Sequence, residues 1–164
     1  MPWIIGGSNV KIETALVPSQ WPDMDVSGSI AVVIDVLRFT TTAARYLDLG
    51  AAGIKTTSSP GEAQHLRDAG MLKGPIILAG ERSAKRIPGF DFGNSPLEFH
   101  RHQIQGATIL MTTTNGTAAV SACLGAETVL LANLRNARSI AGFLRETDVP
   151  VVLVPAGLRG QLGL

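Results

Sequence analysis

Four short runs in this 164-residue chain are apolar almost throughout: residues 30–34 (IAVVI), 75–78 (PIIL), 107–111 (ATILM) and 151–154 (VVLV). A strand with one wet face alternates apolar and polar positions, whereas an unbroken apolar run suits a strand buried on both faces. Such strands occur in parallel sheets that helices cover on both sides. Stretches with helical spacing lie between these runs. The pattern predicts an α/β protein, a three-layer α/β/α arrangement around a mainly parallel or mixed central sheet. No repeat, low-complexity tract or linker interrupts it, so residues 1–164 read as a single domain.

Taken in order, residues 10–16 alternate, with Val10, Ile12, Thr14 and Leu16 on one side, which reads as a half-exposed strand near a sheet edge. Residues 38–49 read as a helix with Phe39, Ala43, Ala44 and Leu47 inward, ended by Gly50. Residues 53–57 suit a short strand, and residues 60–69 a helix with Ala63 and Leu66 inward. Residues 79–99 read as a polar loop that ends in a short helix over residues 96–102. Ser95 would cap that helix, and Pro96 suits its first position. A helix following residues 112–117 would bury Ala119, Ala122 and Cys123. A strand over 127–132 and a helix over 136–144, with Ala137, Ile140, Ala141 and Leu144 inward, complete the alternation.

Composition removes several classes of function. With 45% hydrophobic and 16% charged residues the chain is not a disordered one. A net charge of +1 gives no overall attraction to nucleic acid or an anionic membrane, and 5% aromatics leave few stacking platforms. Cys123 is the only cysteine, so no disulfide forms within the chain, and it is expected to pack as a small hydrophobe. The first residues lack a basic segment and a long apolar run, and no run reaches transmembrane length. The expectation is a cytoplasmic protein without nucleic-acid or membrane partners, with self-association left open.

Ligands of parallel sheets bind beyond the carboxyl ends of the strands. Here those ends are Asp35, Gly80-Glu81, residues 112–117, Asn133 and Ala156-Gly157, and they gather the polar residues. Asp35 is followed by Arg38, Thr40, Thr41 and Thr42: a carboxylate for Mg²⁺ beside hydroxyls and amides for a phosphate, or a plain helix cap. Glu81-Arg82 offers a carboxylate for metal and a guanidinium for a phosphate or sulfonate, or a structural ion pair. Lys85 and Arg86 read as solvated cations. In residues 89–96 (GFDFGNSP), Phe90 and Phe92 would anchor the loop. Asp91 is a third metal ligand or a turn former, and Asn94 and Ser95 donate to an oxyanion or cap a helix. Residues 112–117 (TTTNGT) aim hydroxyls and amides at one point, which suits an anion. His65, His100 and His102 read as helix-surface residues, the last two on different sides. Gly157, Gly160 and Gly163 form only a weak glycine pattern.

Three phosphate-handling loop motifs are set aside, although attack by Asp35 itself, giving an aspartyl-phosphate, stays open. Asp35-Val36-Leu37 lacks the second aspartate of an aspartyl-phosphate loop, Cys123 has Val129 six positions on where a phosphate-cradling thiol loop needs arginine, and no P-loop is present.

The blocks DVLRFTTT (35–42), GER (80–82), GFDFGNSP (89–96) and TTTNGT (112–117), in that order and each at a predicted strand end, resemble the 2-phosphosulfolactate phosphatase family over nearly the whole chain. The resemblance implies an α/β fold and a Mg²⁺-dependent phosphomonoester hydrolase. Such an enzyme converts 2-phospho-3-sulfolactate to 3-sulfolactate and phosphate, a step towards coenzyme M. The partner would be a small anionic phosphorylated substrate. Residue chemistry divides the roles within the matched blocks. Asp35, Arg38, Glu81 and Asn115 are catalytic candidates, and Asp35, Glu81 and Asp91 would hold Mg²⁺. Thr40, Thr41, Arg82, Asn94, Ser95, Thr113, Thr114, Gly116 and Thr117 would bind substrate. Members of the family continue well beyond the loop that here reads Ala156-Gly157-Leu158-Arg159-Gly160, which implies a form shortened at its C-terminus. A shortened, non-catalytic anion-binding relative is the second expectation.

Overall fold

All four apolar runs are strands, and a computed structural model, which describes residues 10–157, divides them between two sheets. The chain runs β1 (Ile12–Thr14), a 3₁₀ turn (Pro18–Asp23), β2 (Ile30–Ile34), α1 (Phe39–Asp48), β3 (Gly53–Thr56), α2 (Pro60–Asp68) and β4 (Ile76–Arg82). It continues through β5 (Lys85–Arg86), α3 (Arg101–Ile104), β6 (Thr108–Thr112), α4 (Gly116–Ala122), β7 (Thr128–Ala132), α5 (Ala137–Arg145) and β8 (Val151–Pro155). The sheet orders are β1-β8-β2-β7 and β3-β6-β4-β5. Every pairing is parallel except the antiparallel β4–β5 hairpin, so the expected mainly parallel, mixed α/β/α architecture holds.

Alternate residues of the buried strands face different helices. In the first sheet Ala31, Val33, Val152 and Val154 pack on Ala119 of α4 and on Cys123 just after it, while Ile30, Val32 and Val151 meet Ile140 and Leu144 of α5. In the second, Ile77, Ala79, Ile109 and Met111 pack on Phe39, Ala43 and Tyr46 of α1, while Leu78 and Leu110 meet Ala63 and Leu66 of α2. Val120 and Leu131 pack against two of these clusters at once, which makes the cores continuous at α4 and β7. Each fully buried aliphatic side chain contributes about 1.5–3 kcal/mol. Cys123 is buried among them as expected.

Register places the site. Ile34 of β2 lies opposite Ala132 of β7 and Pro155 of β8, so Asp35, Asn133 and Ala156 leave the first sheet at one level. Gly80 lies opposite Thr112, so Glu81 and Thr113 leave the second sheet side by side. A Cβ at Gly80 would overlap the Thr112 carbonyl, which is why glycine stands there.

Several local expectations fail for identifiable reasons. The buried stripe of α1 runs Phe39, Ala43, Tyr46, and Leu47 is 54% exposed, because the ring of Tyr46 stacks on Phe99 with centroids 3.9 Å apart. The edge strand β1 is short and exposed on both sides. The polar span over residues 79–99 is partly strand: β4 continues to Arg82 and reverses at Ser83 (φ 52°) and Ala84 (φ 63°) into β5. Two left-handed residues of this kind make a hairpin turn that asparagine and glycine usually mark.

No helix begins at Ser95-Pro96. The Ser95 carbonyl accepts the Glu98 amide at 3.3 Å in a turn, Glu98 reaches back to the Gly93 amide at 2.6 Å, and helix α3 starts only at Arg101. His100 therefore precedes the helix. Its ring lies 6.0 Å from that of His102 at an interplanar angle of 15°, not on another side. Ala137 and Ala141 of α5 are exposed, leaving Ile140 and Leu144 to hold it. Gly160 and Gly163, like the N-terminal stretch assessed for a targeting signal, lie outside the described residues. Among the described residues no helix is long and apolar enough to cross a membrane.

Candidate active site

Asp35 follows β2 directly, where the chain turns into α1. The backbone amides of Phe39 and Arg38 face its carboxyl group. Its own amide donates to Thr40 Oγ1 at 3.3 Å, and its carbonyl accepts the Thr40 amide at 3.1 Å. The Leu37–Arg38 peptide in this turn is cis.

Glu81, 9% exposed, projects from the end of β4. Its Oε2 accepts the Ala84 amide at 2.8 Å, a bond that the left-handed turn at Ser83-Ala84 makes possible. Its Oε1 accepts the Thr114 amide at 2.8 Å. That second bond ties β4 to the turn between β6 and α4. Within this turn Thr113 and Thr117 bond reciprocally: the Thr117 amide donates to Thr113 Oγ1 at 3.1 Å, and the Thr117 hydroxyl donates to the Thr113 carbonyl at 2.8 Å. Asn115 caps α4 through its carbonyl, which accepts the Ala119 amide at 3.0 Å. A Cβ at Gly116 would strike the Phe39 side chain, so only glycine lets α4 start this close to α1.

These turns enclose a cleft of about 250 Å³. Of the residues expected at a site, Asp35, Arg38, Glu81, Asn94, Thr113, Thr114 and Asn115 line it. The blocks that contribute them are far apart in the chain and belong to both sheets. Arg38 makes no ion pair with any described residue.

The other candidates do not line the cleft, and each has a structural partner instead. The Thr40 hydroxyl lies inside the α1 turn, and the Thr41 hydroxyl donates to the Val36 carbonyl at 2.7 Å. Arg82 turns back to donate to the Glu81 carbonyl at 2.9 Å. Ser95 Oγ accepts the Leu97 amide at 3.4 Å, and Gly116 and Thr117 serve the start of α4. Asp91 lies outside the cleft and ties its loop to β4: its Oδ2 accepts the Leu78 amide at 2.8 Å. Leu37, Ser83 and Ala84 line the cleft without having been anticipated. Leu37 lies inside the first matched block, but a lone apolar residue, 86% exposed, carries no chemical signal.

The two carboxylates are driven apart electrostatically. Burial raises the Asp35 pKa and the nearby charge of Glu81 adds to this, against the opposing amides of Phe39 and Arg38 and the Arg38 charge. Burial would raise Glu81 as well. There the Thr114 and Ala84 amides, the Thr114 hydroxyl and the Arg82 charge outweigh it and hold the carboxyl below its ordinary value. Glu81 is therefore the more readily ionised carboxyl of the cleft and Asp35 the less readily ionised one.

The donor set suits a hard divalent cation. Asp35 and Glu81 offer carboxylate oxygens, and Asn94 Oδ1 is buried without a hydrogen-bond partner. Two carboxylates and an amide oxygen, with waters and a phosphate completing the shell, are what Mg²⁺ prefers. Among the described residues no group of three or more histidine, cysteine or acidic side chains comes together, so Asp91 does not join the pair.

Comparison with known proteins gives a consistent result. Residues 15–164 match the family described as 2-phosphosulpholactate phosphatase. A probable 2-phosphosulfolactate phosphatase of Clostridium perfringens is 35% identical over 153 residues, covering 93% of this chain and 62% of that protein. Proteins described in the same words are 42% identical in Symbiobacterium thermophilum (87% of this chain, 61% of that protein) and 40% identical in Deinococcus radiodurans (94% and 62%). The chain thus spans about three-fifths of the length of these curated relatives.

Proposed function

The chain belongs to the 2-phosphosulfolactate phosphatase family, and on that premise we propose that its cleft is the active site of a Mg²⁺-dependent phosphatase. The substrate would be 2-phospho-3-sulfolactate, or a related small phosphomonoester, and the products the free hydroxy acid and phosphate. One observation carries this reading: Asp35 and Glu81, from different sheets, share a small cleft with the Arg38 guanidinium and the turn at Thr113, Thr114 and Asn115.

Each lining group has a task that its chemistry suits. Arg38 neutralises an anionic group of the substrate, with a planar fork that matches phosphate or sulfonate oxygens. The Asn115 side-chain amide, at the start of α4, donates to phosphate oxygens, while the Thr114 hydroxyl stays on Glu81. Glu81 is held in place by the Ala84 and Thr114 amides, so its charge and position persist through turnover. Bound by Asp35 and Glu81 with Asn94 Oδ1, a Mg²⁺ ion would offset the phosphate charge and acidify a water. Burial raises the Asp35 pKa, and a cation beside the carboxylate would favour its ionised form.

The test is phosphate release from 2-phospho-3-sulfolactate and from simple phosphomonoesters, with Mg²⁺ and with chelator. Mg²⁺-dependent turnover that Asp35→Asn removes, with the fold retained, supports the enzyme. Stabilisation by phosphate or sulfolactate without turnover would instead assign a non-catalytic anion-binding relative.

A further inference from the structure

We propose that Asn133 and Thr40 are positioning residues that lock the start of α1 to the end of β7 and thereby fix Asp35 and Arg38 in the cleft. The inference rests on the phosphatase reading of that cleft. Neither side chain lines the cleft, so neither touches substrate.

Asn133 follows β7 and is buried, with every polar group of its side chain engaged. Its Nδ2 donates to the Thr40 carbonyl at 3.1 Å, and its Oδ1 accepts the Arg135 amide at 2.9 Å. Its own amide donates to Asn136 Oδ1 at 2.8 Å, and Asn136 Nδ2 donates to the Leu131 carbonyl at 2.8 Å. The Asn133 side chain is therefore held from both directions and presents a fixed donor to α1.

Thr40 completes the clamp. Its hydroxyl accepts the Asp35 amide at 3.3 Å and lies 2.7 Å from the Asp35 carbonyl and 2.8 Å from the Ala132 carbonyl. One proton serves either carbonyl, so a single buried hydroxyl joins the ends of β2 and β7 to the first turn of α1. Thr40 and Asn133 sit beside an apolar core that valine and leucine would fill at lower cost, since a buried polar group is tolerated only when fully bonded. Residues 35–38, the span this clamp closes, contain both Asp35 and Arg38. A displacement of about 1 Å in such groups costs on the order of 100-fold in rate.

The experiment compares the full chain with Thr40→Val, Thr40→Ser, Asn133→Ala, the Thr40→Val/Asn133→Ala pair, and Leu144→Ala. The last removes a half-buried contact of α5 and serves as a control for general destabilisation. Thr40→Val and Asn133→Ala should each lower kcat by about 10- to 100-fold and raise KM as well, since Arg38 is displaced together with Asp35. The pair should fall no further than its worse member, because both act on one element. Thr40→Ser should keep kcat within about 3-fold of wild type, and Leu144→Ala should lose stability at unchanged kcat. A readout independent of turnover is amide hydrogen exchange: Thr40→Val or Asn133→Ala should speed exchange at residues 35–39 by about 10-fold more than in β6. Should Thr40→Val fail to fold, Asn133→Ala carries the same expectation alone. If wild type releases no phosphate yet exchange changes as described, the phosphatase reading falls and the clamp stands. Wild-type kcat in the folded variants, or exchange that rises equally in β6, overturns the clamp.

Discussion

Thr114 donates its backbone amide to Glu81 Oε1 at 2.8 Å, so the carboxylate at the end of β4 is held by the turn that begins α4. With the Ala84 amide on Oε2, two N–H donors converge on one side chain. Glutamine can accept from only one of them, because its other terminus is itself a donor. Glu81→Gln should therefore cost about 1–2 kcal/mol in urea unfolding at pH 7. The folded pKa lies below the ordinary value of 4.5, so ionised Glu81 adds stability at neutral pH, and this is lost as pH falls through the folded value. The gap between wild type and variant should narrow steadily below about pH 4.5.

Asp35 has the opposite sign. Its folded pKa is raised above the ordinary 3.8, so the ionised form costs stability at any pH above the folded value. In metal-free protein Asp35→Asn should raise the melting temperature at pH 7 by roughly 1–3 °C, and the gain should vanish in acid. The same substitution should cut phosphate release by at least about 100-fold. A site that is destabilising when empty and required for turnover is expected where a cation belongs.

Arg38 and Arg82 separate a binding role from a structural one. Arg38 lines the cleft without an ion pair to any described residue, whereas Arg82 bonds the Glu81 carbonyl outside it. Arg38→Ala should raise KM by about 10- to 100-fold, and Arg38→Lys should recover only part of that loss because the planar fork is gone. Arg82→Ala should change KM by less than about 3-fold.

Asp91 should matter to folding and not to metal. Its carboxylate accepts the Leu78 amide at 2.8 Å. Asp91→Ala should lower stability by about 1–2 kcal/mol in denaturant titration. The Mg²⁺ concentration giving half-maximal phosphate release should stay as in wild type.

The strands of the core were legible because burial on both faces leaves no polar position to blur the signal, as at residues 30–34 and 151–154. The strand-end rule and the four matched blocks brought Asp35, Glu81 and Asn115 to one cleft from three distant stretches. What stayed illegible depends on tertiary partners. Ser83 and Ala84 carry no turn signal, and their left-handed backbone is supported by the bond from the Ala84 amide to Glu81. The turn at Ser95-Pro96 has the residues of a helix start, but the bond from the Gly93 amide to Glu98 and the stacking of Phe99 on Tyr46 draw the chain away. Thr40, Thr41 and Thr117 resemble phosphate ligands in the sequence, but in the fold backbone groups already occupy their hydroxyls.

The most direct test of the central claim is the initial rate of phosphate release from 2-phospho-3-sulfolactate against Mg²⁺ concentration, for wild type, Asp35→Asn and Glu81→Gln. A shared cation site between the two sheets predicts a saturable Mg²⁺ requirement in wild type. Asp35→Asn should then be inactive, and Glu81→Gln should need at least about 10-fold more Mg²⁺. Equal rates with Mg²⁺ and with chelator, wild-type turnover in Asp35→Asn, or an unchanged Mg²⁺ requirement in Glu81→Gln, would contradict it.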